Sequence, residues 1–183
     1  MDNIYIDKVL SGDRHAFRYF ISTYKDMAFS IAISMLKNEL FAEEVVQEAF
    51  VQAYLSLSNF KKEAKFSTWF YKILVRTAYK YRAKNKIVDA EFDLSKHDLP
   101  QQEAILQSLV RKEQSEIIND ALMKIPSNES LILRLFYLEE LSVKEITEIT
   151  GWTENNSKVI LHRARKSLSI VMKRLTENFQ YGT

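Results

Sequence analysis

The sequence predicts an all-α protein of two small helical domains joined by an acidic linker. Its 183 residues include only three glycines and two prolines, and a β-sheet protein usually has more of these turn-forming residues. Apolar residues recur at helical spacing in separate segments, and a content of 46% hydrophobic and 27% charged residues is ordinary for a globular chain. A stretch near the middle of the chain is acidic and lacks the helical pattern, so we place the domain boundary there.

Three helices are predicted in the first domain, which comprises residues 1–88. The first helix follows a Ser-Gly-Asp sequence and runs from Arg14 to Leu36, with apolar residues near helical spacing. The second has a face of alanine and valine and runs from Ala42 to about Leu57, and the third runs from Thr68 to Lys84. Each helix has one apolar stripe, so we expect a three- or four-helix unit.

The acidic linker comprises residues 89–104, and the second domain comprises residues 105–183. The linker carries several carboxylates and a proline, with no sustained helical period. Beyond it we expect a helix from about Glu103 to Lys124, because the helical pattern stops before Pro126. Ser127 is the expected N-cap of the helix that follows.

The end of the second domain shows the pattern of helix, tight glycine turn and helix. Ser142 and Glu145 have the spacing of a capping box, which predicts the start of a short helix. Gly151 stands where a helix ends in a left-handed residue, and Thr153 is the expected cap of the last helix. This pattern is typical of a helix-turn-helix.

The last helix has a polar, basic outer face. When its apolar stripe faces inward, amide, imidazole and guanidinium groups point outward. Lys and Arg neutralise phosphates, and Arg, Lys and Asn can read purine edges in the major groove, which admits a helix. A basic face alone is equally compatible with simple solvation, but the helix-turn-helix pattern favours DNA binding. The outward and flanking residues are Asn155, Asn156, Lys158, His162, Arg163 and Arg165.

A second basic surface lies within residues 61–86, which include nine basic residues and one acidic residue. Lys72, Arg76 and Lys80 are four residues apart and therefore stack along one side of the third helix, and Trp69 lies one turn before them. Cations bind phosphates and an unstacked base can lie on an aromatic ring, so this surface suits single-stranded or melting DNA. The alternative is that Trp69 belongs to the core.

The second helix carries an acidic face. Glu44, Gln47 and Glu48 point away from its apolar stripe, together with Val51 and Leu55. Acidic groups beside exposed apolar residues indicate a protein partner. A merely solvated acidic face is an equal alternative on this segment alone.

No catalytic or metal-binding constellation is visible in the sequence. The chain has no cysteine, and its three histidines are too scattered to suggest a metal cluster. It also lacks a glycine-rich phosphate loop and a Ser/His/Asp arrangement, so we expect neither an enzyme nor a cofactor. No apolar run approaches the about 20 residues that span a bilayer, and we find no secretory signal. We therefore expect a cytoplasmic protein without membrane insertion.

Two motifs resemble those of the extracytoplasmic-function, or group four, sigma factors of the sigma-70 family. The first is AEEVVQEAF at residues 42–50 with FSTWFYKI at residues 66–73, which is similar to the second conserved region of these factors. The other is SVKEITEITGWTENNSKVILHRARKSL at residues 142–168, which is similar to their promoter-reading fourth region. Both occur in the family's order around a linker, and the resemblance covers nearly the whole chain.

The resemblance implies a sigma factor that binds core RNA polymerase and directs promoter-specific initiation of transcription. It implies contacts with the beta-prime clamp helices and the beta flap, and an anti-sigma factor as a further partner. The outer face of the last helix would contact the minus-thirty-five element. The implied polymerase-binding residues are Glu44, Gln47, Glu48 and Val51, and the implied minus-ten residues are Lys65, Phe66, Trp69, Lys72, Arg76 and Lys80.

Four positions depart from residues that are common in this family, so no promoter sequence can be inferred. They are Arg76, Ser157, Val159 and Ile160. The main alternative function is a free-standing helix-turn-helix regulator that binds a palindrome as a dimer. A regulator needs neither the second basic surface nor the acidic face, and a helical protein-interaction module would leave both basic faces unexplained.

Overall fold

The computed structural model describes residues 1–89 and 115–180, with side chains described for residues 1–89 and 117–175. The chain forms two compact units. The first is built on Met1–Ile87, and the second on the described residues of Val88–Thr147 and of the chain from Gly151 onward. Every regular element of the described ranges is helical, which confirms the all-α prediction. Most of the predicted linker and the start of the predicted helix from Glu103 lie outside the described residues.

The first unit contains four α-helices and two short 3₁₀ turns. The helices predicted from Arg14, Ala42 and Thr68 are all present, with boundaries a few residues from those expected. An additional helix precedes them at the N-terminal end. The elements are α1 (Asp2–Leu10), a 3₁₀ turn (Arg14–Phe17), α2 (Arg18–Leu36), α3 (Glu39–Ser56), a 3₁₀ turn (Leu57–Asn59) and α4 (Phe66–Lys84).

Local capping explains where α2 and α3 meet. The chain leaves α2 at Lys37, which adopts a left-handed conformation with φ of 56°, the geometry with which many helices end. The next residue, Asn38, is extended, and its side-chain oxygen accepts a hydrogen bond from the backbone N–H of Phe41 at 3.1 Å. This N-cap starts α3 directly after α2 ends.

The core of the first unit is rich in aromatic rings. Helices α2, α3 and α4 pack against one another. Phe66 and Phe70 of α4 lie 4.2 Å from the ring of Phe20 and 4.5 Å from the ring of Phe50, respectively, measured between centroids. Such pairs add about 0.5–1.5 kcal/mol each beyond the burial of apolar area. The core therefore fixes α4 firmly against α2 and α3.

Contacts distant in sequence stabilise α1 on α2. The Asp2 carboxylate accepts hydrogen bonds from the hydroxyls of Tyr19 at 2.8 Å and Tyr24 at 2.7 Å. The rings of Tyr5 and Tyr19 stack with centroids 4.0 Å apart, and Ile6 is fully buried. A helix of nine residues is marginal by itself, so these tertiary contacts determine that α1 forms.

The second unit is helical throughout its described residues. Its core is aliphatic, with Leu131 and Ile132 from one side and Leu161, Ala164 and Leu168 from the other. Helices α5 and α6 both pack on α8. The elements are α5 (Ser115–Lys124), α6 (Ser127–Leu133), a π-helix (Arg134–Leu138), α7 (Val143–Thr150) and α8 (Glu154–Gln180).

The helix-turn-helix prediction for the second unit is confirmed in its local geometry. Ser142 and Glu145 form both hydrogen bonds of a capping box at the start of α7. Gly151 ends α7 in the left-handed conformation with φ of 78°, which favours glycine. The Thr153 hydroxyl accepts a hydrogen bond from the backbone N–H of Asn156 at 3.2 Å and caps α8. The turn between α7 and α8 is thus specified on both sides.

The prediction that Ser127 is an N-cap is wrong. Pro126 occupies the cap position, and Ser127 is the first residue of α6. The Asp89 carboxylate accepts hydrogen bonds from both the backbone N–H of Ser127, at 3.1 Å, and its hydroxyl. A carboxylate distant in sequence therefore satisfies the start of α6, where negative charge also interacts favourably with the helix dipole.

Candidate nucleic-acid and protein interfaces

The acidic face predicted on α3 is exposed in the structure. Glu44, Gln47 and Glu48 all lie on the surface, and Val51 and Leu55 are 53% and 73% exposed. Helical spacing places these five side chains along one side of α3. The stripe also includes Leu40, which is 70% exposed and which the sequence analysis missed. We call these six residues the α3 face.

Two carboxylates of the α3 face are oriented by neighbouring side chains. The Tyr81 hydroxyl donates to Oε2 of Glu44 at 2.6 Å, and this hydrogen bond raises the pKa of Tyr81 above its ordinary value. The side-chain amide of Gln52 donates to Oε1 of Glu48 at 2.8 Å. Neither partner is a cation, so these contacts do not offset the acidic character of the face. The face combines fixed acidic groups with exposed aliphatic residues.

The basic face predicted on α4 is also at the surface. Lys65, Arg76 and Lys80 are exposed, and Trp69 and Lys72 are half-buried. Their spacing of three, four or seven residues aligns them along one side of the helix. We call these five residues the α4 face. Within the described part of the chain, none of its cations forms an ion pair, so their charge is available to an anion.

Trp69 has one side in the protein and one side at the surface. Its ring lies 5.1 Å from Phe60 and 5.6 Å from Phe66, measured between centroids. These contacts fix the orientation of the indole, whereas its partial exposure leaves part of the ring accessible. A ring fixed beside cations has the geometry on which an unstacked base can lie.

Phe66 corrects the predicted set of minus-ten residues. Its side chain is only 2% exposed and packs against Phe20, Phe60 and Trp69. A ring buried in this way cannot touch DNA in this conformation, and it contacts the ring of Trp69 instead. The family resemblance placed Phe66 in that set, but rings from other parts of the first unit, Phe20 and Phe60, cover it.

Arg82 is one of the nine basic residues within residues 61–86, but it lies away from the α4 face. Its guanidinium donates to the backbone carbonyl of Met35, near the end of α2, and to the carbonyl of Ile87 at 3.3 Å. Carbonyls at a helix end have no partner within the helix. Arg82 therefore stabilises the junction of α2 and α4, and the nine basic residues do not form one surface.

The outer face of α8 has the predicted composition. Five of its six predicted residues are exposed, and Arg165 is half-buried. Val159 is 56% exposed among them, although valine gave no polar signal in the sequence. The hydroxyl of the neighbouring Ser157 is buried and accordingly faces the core. The exposed members are Asn155, Asn156, Lys158, His162 and Arg163.

Two of the cations on α8 lie beside carboxylates. Lys158 Nζ is 3.6 Å from Oε2 of Glu154, one turn earlier on the same helix. Arg163 Nε is 3.7 Å from Oε1 of Glu129 on α6. Burial raises the pKa of Glu129 above its ordinary value, although the nearby Arg163 guanidinium acts in the opposite direction. The positive charge of α8 is thus partly compensated within the second unit.

The described residues contain neither a metal site nor a membrane-spanning helix. No group of three or more His, Cys, Asp or Glu residues there could bind a metal ion. No helix in these ranges has both the length and the apolarity needed to cross a membrane.

Comparison with known proteins decides the family. Residues 20–87 match the model of Sigma-70 region 2, and residues 115–168 match that of Sigma-70, region 4. The ECF RNA polymerase sigma factor SigW of Bacillus subtilis is 32% identical over 172 residues, covering 89% of this chain and 92% of the relative. This chain belongs to the ECF RNA polymerase sigma factors. It therefore binds core RNA polymerase and directs promoter-specific initiation of transcription, as the resemblance implied, and the free-standing regulator is not supported.

Further relatives agree with this assignment. The ECF RNA polymerase sigma-E factor of Haemophilus influenzae is 29% identical to this sigma factor and covers 91% of it. Two solved structures share its fold with TM-scores of 0.64: CnrH in complex with the cytosolic domain of CnrY, and RpoE in complex with the anti-sigma factor NepR from Bartonella quintana. Their sequence identities are 20% and 18%, and they cover 94% and 86% of this sigma factor.

Proposed function

We propose that this sigma factor uses three surfaces, one to bind core polymerase and two to bind the promoter. The α3 face binds the beta-prime clamp helices of core polymerase. The α4 face holds the minus-ten element as the duplex opens, and the outer face of α8 reads the minus-thirty-five element in the major groove. One observation carries the proposal: the exposed residues of each surface lie within the region 2 or region 4 segments, and each surface has the chemistry that its target requires.

The α3 face has the chemistry of a protein interface. Its exposed aliphatic residues gain free energy when they are removed from water, and its fixed carboxylates can select a basic partner and set the register of docking. The carboxylates do not suit nucleic acid, because they repel phosphates. The face therefore fits a protein surface with cations around an apolar centre.

The α4 face and the outer face of α8 suit two different states of DNA. Unpaired cations around the fixed ring of Trp69 suit a strand whose bases are unstacked. A helix that projects amide and guanidinium groups suits the edges of paired bases in the major groove. The two surfaces lie in separate domains, for which we retain the proposed bounds of residues 1–88 and 105–183 with a linker at 89–104.

Three further points complete the proposal. An anti-sigma factor binds this protein, since one of the two structurally similar proteins, the sigma factor RpoE from Bartonella quintana, was solved in complex with the anti-sigma factor NepR. The second domain also contacts the beta flap. The protein acts in the cytoplasm, where its polymerase works, and supplies no catalytic group, because phosphodiester chemistry belongs to the polymerase.

Run-off transcription with purified core polymerase tests the three surfaces together. A promoter library is transcribed with the wild type and with Gln47→Ala, Trp69→Ala and Lys158→Ala. We expect promoter-specific transcripts that require this protein and that all three substitutions reduce. Gln47→Ala should lower affinity for core polymerase, whereas the other two should leave that affinity unchanged and weaken promoter opening or promoter binding.

Exposed positions outside the three surfaces provide the control. Lys25→Ala changes a charged residue of α2 and should leave every step unchanged. Transcription that is unaffected by Gln47→Ala and Trp69→Ala would refute the assignment of the first domain. Tight binding to a palindrome without polymerase, and no initiation, would instead favour a free-standing regulator.

A further inference from the structure

Arg165 of α8 is fixed by two aromatic residues of the preceding π-helix. Its Nε donates a hydrogen bond to the Tyr137 hydroxyl at 2.9 Å. Its guanidinium carbon lies 5.8 Å from the ring centroid of Phe136 and 5.8 Å from that of Tyr137. We propose that Tyr137 is a positioning residue, which presets the Arg165 guanidinium for contact with promoter DNA. The inference rests on the proposed role of Arg165 at the minus-thirty-five element.

The hydrogen bond to Tyr137 leaves the terminal amino groups of Arg165 unoccupied. A guanidinium has five N–H donors, and Tyr137 accepts only the one on Nε. Within the described residues, the terminal amino groups of Arg165 make no hydrogen bond or ion pair. They remain available as a fork, the arrangement that binds a phosphate or the edge of a guanine with two parallel hydrogen bonds.

The partner of Arg165 is also electrically neutral. Lys158 and Arg163 lie beside the carboxylates of Glu154 and Glu129, which offset part of their charge. A phenol and two aromatic rings fix Arg165 without offsetting its charge. The arginine is thus ordered in advance and keeps its full attraction for an anion.

The position of Arg165 on α8 agrees with this role. It follows Lys158 by seven residues, which is about two helical turns or roughly 10 Å along the axis. Both side chains therefore lie on the same side of the helix. Arginine loses considerable side-chain freedom when it is fixed, and in this protein Tyr137 imposes much of that loss before DNA binds.

Substitution of Tyr137 by phenylalanine tests the inference. Tyr137→Phe removes the hydroxyl and keeps the ring, so the fold should persist with only a small change in thermal unfolding. We expect the holoenzyme carrying it to bind duplex promoter DNA about 3- to 10-fold more weakly, the usual range for one hydrogen bond. Tyr19→Phe, which removes a hydroxyl hydrogen bond in the first unit, is the matched control and should leave duplex binding unchanged.

A double-mutant cycle separates positioning from a structural effect. Once Arg165→Ala has removed the guanidinium, Tyr137→Phe should have no further effect on DNA binding. An equal loss in both backgrounds would overturn the inference, as would full affinity of the single Tyr137→Phe variant. If Arg165→Ala itself leaves promoter binding unchanged, the proposed role of Arg165 fails first. The two failures are therefore distinguishable.

Discussion

Removal of the Leu55 side chain offers a quantitative test of the α3 face. Leu55 is 73% exposed on α3, so the free protein gains little stability from it. Leu55→Ala removes three carbon atoms, and each is worth about 0.8 kcal/mol when it is fully buried. Docking can bury at most the exposed fraction, which gives an upper value of about 1.8 kcal/mol, or ~20-fold in affinity.

The assay is equilibrium binding of labelled sigma factor to core polymerase. We expect Leu55→Ala to raise the dissociation constant by about 5- to 20-fold, while the midpoint of thermal unfolding stays close to that of the wild type. Leu10→Ala is the matched control, because Leu10 is also exposed, at 49%, but lies at the end of α1 outside the proposed interface. It should bind polymerase normally.

Three results would refute this reasoning. If Leu55→Ala binds core polymerase as the wild type does, Leu55 is not buried in the complex and the α3 face is not the docking surface at this point. If Leu10→Ala loses as much affinity, the loss reflects a general property of exposed leucines. A large fall in thermal stability would show that Leu55 contributes to folding, contrary to its exposure.

Three further substitutions probe the second unit. Glu140 adopts φ of 53°, a left-handed conformation that costs a residue with a Cβ about 1 kcal/mol, so Glu140→Gly should raise the stability measured by urea unfolding. The neighbouring Glu139 has φ of −98°, and Glu139→Gly should lower that stability instead; the same sign for both variants would contradict the argument. Burial raises the pKa of Glu129 above its ordinary value of 4.5, so the folded state binds the proton more tightly than the unfolded state. The contribution of the Glu129 carboxyl to stability is therefore complete below the unfolded pKa and is lost as the pH rises through the folded pKa. Urea unfolding between about pH 4 and 7 should accordingly show a smaller loss of stability with rising pH for Glu129→Gln than for the wild type. Parallel profiles of stability against pH for the two proteins would contradict this.

The elements that the sequence predicted are those with local signals. The capping box at Ser142, the left-handed Gly151 and the cap at Thr153 act within a few residues, so a linear pattern contains them. Helix α1 and the π-helix at residues 134–138 escaped prediction. The hydrogen bonds of α1 reach from Asp2 to tyrosines of α2, and no local pattern encodes such contacts.

The same distinction applies to the candidate surfaces. Helical periodicity predicted which side of α3, α4 and α8 faces outward, because the apolar stripe of each helix must be buried. The family resemblance implied that Phe66 contacts DNA, and the aromatic core covers it instead. Helical periodicity gave no reason to select Tyr137, whose relevance depends on a side chain 28 residues later in the sequence. A residue that positions another is visible only in three dimensions.

The two basic faces differ in how their charge is balanced, and this difference suits their proposed targets. On the α4 face the cations are unpaired within the described residues, so we expect the face to attract a phosphate backbone without regard to sequence. On α8 two cations lie beside carboxylates, which weakens that general attraction and leaves a larger share of binding to amide and guanidinium contacts with base edges. A DNA strand that has separated from its partner must be held through its phosphates, because its bases no longer form the groove of a duplex. On duplex DNA the protein must distinguish one sequence from another, and phosphates are the same at every site. A helix whose charges are partly compensated distinguishes sequences better than one that binds every duplex tightly.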